Sequence, residues 1–215
     1  RAKDKIFSRY FYQKWIKKNE PLERELLTQR NIKFRYEPKI SIIVPVFNTP
    51  EQFLIDMIES VLSQTYQNWE ICVADGASKE PRVKEILSGY AKKNPRIKVK
   101  FMSENNGIAG NSNEALSLAT GDYIALLDHD DTLASFALFE VVKTINENPN
   151  VEFIYSDEDK ITANGKKRLA PVFKPAWSPD MLRSCNYITH LSVFRKDLLG
   201  KVGTFRADFE GSQDY

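Results

Sequence analysis

From residue 38 onward the chain alternates short β-branched runs with amphipathic stretches of helix length, and few architectures accommodate that alternation. Ile40 to Phe47, Trp69 to Ala74, Ile97 to Phe101, Tyr123 to Leu127 and Val151 to Tyr155 each predict a strand. Helices are predicted between them. The first has Thr49 as N-cap, Pro50 in the first turn and Glu51 as an acidic start, with Phe53, Leu54, Met57, Ile58, Val61 and Leu62 on its apolar side. Val83, Ile86, Leu87 and Tyr90 mark a second, Ala109 to Ala119 a third and Phe136 to Ile145 a fourth. Strands joined through helices require right-handed crossovers, so the fold class is α/β with a mostly parallel sheet. Ligands of such sheets bind beyond the carboxyl ends of the strands.

Polar clusters stand at four of those ends: Pro45-Val46-Phe47-Asn48-Thr49, Asp75-Gly76-Ala77-Ser78, Asn105-Asn106-Gly107-Ile108-Ala109-Gly110-Asn111, and Asp128-His129-Asp130-Asp131. Their convergence on one sheet edge says more than any one of them. In the last, an apolar strand runs straight into three carboxylates, and like charges so close call for a cation. Hard oxygen ligands suit Mg²⁺ or Mn²⁺, and in an extended backbone Asp128 and Asp130 would point the same way while His129 points away. A solvated acidic turn before the next helix is the competing reading. Gly107 and Gly110 let backbone approach an anion at a helix start, although the spacing is neither a P-loop nor a dinucleotide fingerprint. Asp75 suits a base or ribose, or simply a turn. Asp157-Glu158-Asp159 does not continue as a calcium loop, because Ile161 and Thr162 stand where a ligand and a glycine are needed. His190 follows a polar-aromatic stretch; a lone histidine is commonly structural, but this one falls near the expected cleft.

Residues 1–37 differ in character. Ile6, Phe7, Tyr10, Phe11, Trp15 and Ile16 recur at helical spacing among lysines and arginine, and Leu22, Leu26 and Leu27 mark a second short helix. A basic aromatic helix can lie on an anionic membrane; packing against the main domain or a neighbour is the preferred reading. A net charge of +2 across 215 residues argues against a nucleic-acid-binding surface, and 42% hydrophobic with 28% charged residues is ordinary globular composition. Cys72 and Cys185 are too few for a disulfide framework and read as reduced core or near-core thiols of a cytoplasmic protein, with peripheral contact at the inner membrane face as the only membrane association considered. No stretch has transmembrane length and no signal-peptide pattern is present. A start at Arg1 and a stop at Tyr215, just after a dense motif, read as a piece of a longer chain with further domains.

The strings PVFNTPEQFLIDMIESVLSQTYQNWEICVADGAS, NNGIAGNSNEAL, GDYIALLDHDDTL, YSDEDKI, FKPAWSPDMLRSCNYITHLSVFR and VGTFRADFEGSQDY together resemble family 2 glycosyltransferases, in the branch of bacterial O-antigen and rhamnan-type polysaccharide assembly proteins. The resemblance spans Lys39 to Tyr215, which divides the chain into an N-terminal helical extension (1–37) and a C-terminally truncated GT-A domain (38–215) with a Rossmann-like, mostly parallel sheet. It implies a nucleotide-diphosphate sugar donor carrying uridine or thymidine, a glycan or lipid-linked glycan acceptor, a divalent ion (Mn²⁺ or Mg²⁺) and inversion at the anomeric carbon. Carried over, Pro45, Val46, Phe47 and Asn48 line the nucleotide site, Asp75 binds the base, and Asn105 and Gly107 lie along the nucleotide. Asp128-His129-Asp130 is the DXD motif, with Asp128 and Asp130 holding metal and diphosphate, and Asp214 is the catalytic base. Gln213 stands where the family has glutamate, leaving Glu210 as a candidate helper.

Two other readings fit parts of the pattern. A sugar nucleotidyltransferase shares such a sheet but carries a glycine-rich loop with a basic residue after the first strand, where this chain has PVFNT. A non-catalytic, transferase-like scaffold fits poorly with the retention of Asp128, Asp130 and Asp214.

Overall fold

The computed structural model describes residues 2–162, 164–165 and 167–209. In chain order they form α1 (Ala2–Asn19), α2 (Glu23–Gln29), β1 (Ile40–Val46), α3 (Glu51–Leu62), β2 (Trp69–Asp75), α4 (Pro81–Lys93), β3 (Ile97–Phe101), α5 (Gly107–Leu116), β4 (Tyr123–Leu126) and α6 (Ala137–Glu147). Then come β5 (Phe153–Tyr155), β6 (Glu158–Ile161), β7 (Arg168–Val172), α7 (Pro179–Ser184), β8 (Ser192–Arg195) and α8 (Leu199–Val202), followed by a 3₁₀ turn at Ala207–Phe209.

The main sheet has six strands in the order β3-β2-β1-β4-β8-β5. β1, β2, β3 and β4 pair in parallel, as the alternating pattern requires, while β8 runs antiparallel between β4 and β5. Neither β8 nor the separate β6–β7 hairpin was expected from the sequence. Both faces of the sheet are covered, which explains why β1 is apolar without alternation. Ile42, Val44 and Val46 enter the larger core with Leu54, Met57, Ile58 and Val61 of α3 and Leu138 and Val142 of α6. Ile43 turns to the other face and meets Cys72, Ala115, Leu116 and Ile124. Each such fully buried aliphatic side chain contributes about 1.5–3 kcal/mol of burial free energy.

Three local expectations need correction. Pro50, not Thr49, occupies the N-cap of α3, and the Thr49 hydroxyl is buried without a hydrogen-bond partner among the described residues. α5 starts at Gly107, two residues ahead of the expected Ala109. Cys185 is exposed, whereas Cys72 is a core thiol whose pKa burial pushes up to about 12.

The N-terminal helices rest on the body of the protein. On α1, Gln13 donates to the Arg168 carbonyl at 2.7 Å and the Trp15 ring lies 4.9 Å from Phe173. After α2, Phe34 packs 5.0 Å from Phe139 of α6. The change in composition at Pro38 is therefore not a break in packing. No helix among the described residues is long and apolar enough to cross a membrane.

Candidate active site

The parallel strands deliver their carboxyl ends to one edge. Gly76 N–H donates to the Val46 carbonyl at 2.8 Å, and Leu127 N–H to that of Ile43 at 3.1 Å, so the loops after β1, β2 and β4 leave the sheet side by side. Asp75 closes β2 with its Oδ1 accepting from the Ser78 hydroxyl at 2.5 Å and the Ser78 N–H at 3.2 Å. Asn48, at φ 49°, donates its N–H to the same Ser78 oxygen and accepts from Lys79 N–H on its Oδ1, both at 2.8 Å. The β1 and β2 loops are thus one hydrogen-bonded unit.

The asparagine-rich loop closes behind Asp75. Asn105 Oδ1 accepts from Gly107 N–H at 3.1 Å and from Asn111 Nδ2 at 2.9 Å. Two glycines make this possible. Gly107 starts α5 at φ 71°, a conformation that costs other residues. A Cβ on Gly76 would come within 2.3 Å of Asn111 Nδ2, so the loop after β2 needs a residue without a side chain there.

After β4 the backbone turns rather than continuing extended, with Asp131 N–H directed at the Asp128 carbonyl at 3.3 Å. That turn pairs Asp128 with Asp131, three positions on, where an extended chain would have aligned Asp128 with Asp130. His190 enters from the loop before β8, its Nε2 3.0 Å from Asp128 Oδ2 and 3.9 Å from Asp131 Oδ2. The three side chains offer ligand atoms within 4.8 Å of one another. Asp130 points outward at the turn's tip, its Oδ1 3.9 Å from His129 Nδ1.

The electrostatics are unbalanced. The His190 hydrogen bond holds the Asp128 carboxyl below its ordinary range against the opposing effect of burial. Desolvation pushes Asp131 the other way; His190 opposes that shift, and Asp128, Asp130 and Glu158 add to it. A group of this kind, carboxylate oxygens with one imidazole nitrogen and excess negative charge, fits a divalent cation. A small cleft runs past it, lined by Pro45, Ile108, Ser112, Asp128, His190 and Phe205. Asn113 of α5 clips the Phe205 backbone with paired bonds of 2.7 and 3.0 Å.

Comparison with known proteins decides which family this arrangement belongs to. A model described as "Glycosyl transferase family 2" matches residues 41–203. The chain belongs to glycosyl transferase family 2. It is 48% identical over 178 residues to the uncharacterized protein y4gI of Sinorhizobium fredii, covering 83% of this chain and 20% of that protein. It is 36% identical over 204 residues to the O-antigen biosynthesis protein RfbC of Myxococcus xanthus, covering 95% of this chain and 16% of that one. The chain thus spans a fifth or less of these relatives. Among solved structures, TarS of S. aureus in complex with UDP superposes with a TM-score of 0.65 at 22% identity, over 82% of this chain and 52% of that one. The mannosyltransferase PcManGT of Pyrobaculum calidifontis, in complex with GDP-Man and Mn²⁺, gives 0.61 at 18% identity, over 89% of this chain and 56% of that one. The fold is GT-A.

Within this family 2 domain, Pro45, Phe47, Asn48, Asp75, Asn105, Gly107 and the 128–130 turn all lie at the carboxyl edge. Val46 lies there too, but its side chain is buried in the core, leaving only its backbone to face a ligand. Asp214 and Glu210 lie outside the described residues. The sequence did not reveal the pairing of His190 with Asp128, which depends on antiparallel β8 being inserted beside β4. Its visible trace was His190 itself, which follows a polar-aromatic stretch and was expected near the cleft.

Proposed function

We propose that this chain is the donor-binding, catalytic domain of an inverting glycosyltransferase. In this reading a sugar moves from a UDP- or dTDP-sugar to a glycan or lipid-linked glycan acceptor during synthesis of a cell-surface polysaccharide, on the cytoplasmic side of the membrane. The observation that carries the proposal is the under-neutralised group of Asp128, Asp131 and His190 at the same sheet edge as Asp75.

Each residue then has a role its position suits. Asp75, its Oδ1 engaged by Ser78, reads the base or ribose, with Pro45, Phe47, Asn48 and the Val46 backbone forming the adjoining wall. Asn105, Gly107 and His129 lie along the nucleotide. Asp128 and Asp130, as the DXD motif, hold the ion and diphosphate, and Asp131 and His190 are further donors at the same place. A bound Mn²⁺ or Mg²⁺ supplies charge neutralisation at the departing diphosphate. Asp214 takes the proton of the acceptor hydroxyl, whose oxygen bonds to the anomeric carbon as the bond to the diphosphate oxygen breaks on the opposite face. The names of the structural neighbours fit this scheme: one was solved with UDP, another with GDP-Man and Mn²⁺.

Calorimetry tests it. UDP or dTDP should bind in Mn²⁺ and lose at least about tenfold in affinity in chelator or in Asp130→Ala, a change of 1.4 kcal/mol or more. Asp75→Ala should weaken the nucleotide and spare pyrophosphate. Asp214→Asn, made in a longer natural chain, should keep donor affinity and lose about 10²–10⁴-fold in transfer. If Asp130→Ala binds as tightly as wild type with and without the ion, the metal assignment is wrong.

A further inference from the structure

Lys174 lies on the segment after β7 with its side chain only 1% exposed, although lysine is among the residues least often buried. An ammonium group has three donors and no acceptor capacity, so burial demands three oxygen partners. Lys174 finds them in the Ile188 carbonyl, the His190 carbonyl at 2.6 Å and Glu158 Oε2 at 3.0 Å, with the Thr189 hydroxyl 3.3 Å away. Glu158 is itself fastened to the same loop through the Thr189 hydroxyl.

The loop has reason to need such a clamp. Thr189 adopts φ 37°, the left-handed region that β-branched residues avoid. Conformations of this kind persist only where surrounding structure holds them. Lys174 grips the carbonyls on either side of that residue, and the second of them belongs to His190, whose imidazole meets Asp128. Its own position is secured from β5 and the β5–β6 link, since Lys174 N–H donates to Asp157 Oδ1 at 2.7 Å and the Tyr155 hydroxyl to the Pro175 carbonyl at 2.8 Å.

We propose that Lys174 is a positioning residue, whose buried ammonium sets the 188–190 backbone so that His190 is presented to Asp128 and to the ion these residues hold. This rests on the metal reading given under the proposed function. Groups that orient a metal ligand from behind typically carry about 10–100-fold of metal affinity.

A double-mutant cycle on Mn²⁺ affinity in the presence of UDP, read by the electron paramagnetic resonance signal of free Mn²⁺, separates positioning from general support. His190→Ala should weaken Mn²⁺ binding about tenfold or more, and Lys174→Met, which keeps the length and loses the donors, should do about the same. In the His190→Ala background Lys174→Met should cost no more than about twofold, because there is no imidazole left to position. Tyr12→Phe, which removes a bond at Asp159 without touching Lys174 or its acceptors, should leave Mn²⁺ affinity unchanged. An equal loss from Lys174→Met with and without His190 would overturn the positioning role while leaving the metal site intact, as would no loss in either background. Unchanged Mn²⁺ affinity in both His190→Ala and Asp128→Ala would remove the metal reading and this proposal together. Should Lys174→Met fail to fold, Glu158→Gln serves in the same cycle, with a smaller expected loss and the same criterion of dependence on His190.

Discussion

At its amino-terminal edge the sheet buries one carboxylate, and in the turn after β4 at its carboxyl edge it gathers three, and these two groups treat charge in opposite ways. Glu70, in the second position of β2, has a side chain 1% exposed, with Lys39 Nζ at 2.5 Å and Lys98 Nζ at 2.9 Å. The Ser41 hydroxyl and Thr120 N–H donate to its Oε1 at 2.7 and 2.6 Å, and Gly121 N–H donates to the Ser41 oxygen at 2.8 Å. Burial alone would raise its pKa, yet these partners hold the carboxyl far below the usual range. At the other edge, Asp128, Asp130 and Asp131 have histidines beside them rather than lysines. A carboxylate whose charge the fold answers in full is tying strands and loops together. A cluster the fold leaves unanswered is arranged for something that arrives from outside.

The strongest way to break that contrast is Glu70→Gln. It leaves two lysines facing a neutral amide in a buried site, and removing one partner of such a group costs about 3–5 kcal/mol. Both lysines keep about a third of their side chains in water, 35% and 33%, so the low end is expected, about 3 kcal/mol by urea denaturation. Nucleotide affinity of the folded protein should not change. The pH dependence has a definite sign. A carboxyl with a depressed folded pKa contributes stability above its unfolded pKa, about 4.3, and loses it as pH falls toward the folded value. Wild type should therefore lose more stability than Glu70→Gln between about pH 6 and pH 3. Equal acid sensitivity of the two would show that Glu70 is not the anchor described.

A second paired cluster lies where α1 meets the hairpin, and it predicts a smaller effect. Asp159 follows Glu158 on β6 at an irregularity in the β6–β7 register, and the two side chains meet different partners. Glu158 faces Lys174, whereas Asp159 accepts from Arg168 Nε at 2.6 Å and from the Tyr12 hydroxyl. Arg168 also reaches Glu20 at 2.7 Å. Tyr12→Phe removes the bond to Asp159 and a long one of 3.4 Å from Arg168 Nη2, and leaves Asp159 paired with Arg168, so the cost should be about 1 kcal/mol. Mn²⁺-dependent nucleotide binding should be unaffected, because neither lost bond touches Lys174 or its acceptors. A loss of donor affinity in Tyr12→Phe would join α1 to the site and dissolve the distinction between the two sets of partners.

The same division separates what was legible in the sequence from what was not. Parallel β1 to β4 and their intervening helices were readable because each burial pattern is local: Ile42, Val44 and Val46 facing α3 repeat at the strand period, and Leu54, Met57, Ile58 and Val61 at the helical one. The strand ends, and hence most of the candidate site, followed from the handedness of the crossovers. Beyond residue 155 less was readable: His190 was expected near the cleft, but its partner was not. β8 is four residues long and becomes a strand by pairing between β4 and β5, a long-range event that no local pattern encodes. Lys174 carried no signal in the sequence, because its acceptors are backbone carbonyls 14 and 16 residues away. The turn at Asp128 defeated the alternation rule because the strand stops at Leu126, two residues before the first carboxylate.

The smallest expected effect offers the sharpest test of the carboxyl edge. Asp131 has a side chain 51% exposed, so its raised pKa translates into little free energy once water screens it. The sign still discriminates. A carboxyl whose folded pKa is raised disfavours the folded state when ionised, and the penalty fades as pH falls below that pKa. Asp131→Asn removes one of the repelling charges and should therefore stabilise the protein in chelator at pH 7, by a few tenths of a kcal/mol. As pH falls through that raised pKa and the wild-type carboxyl takes up its proton, the gain should shrink toward zero. The opposite should hold when Mn²⁺ and UDP are added: wild type gains stability from binding, and Asp131→Asn gains less. Glu70→Gln should do the reverse on both counts, losing stability in chelator and keeping its full gain from ligand. If Asp131→Asn instead destabilises the metal-free protein, Asp131 is a structural carboxylate like Glu70. The difference between the two edges of the sheet would then have to rest on Asp128, Asp130 and His190 alone.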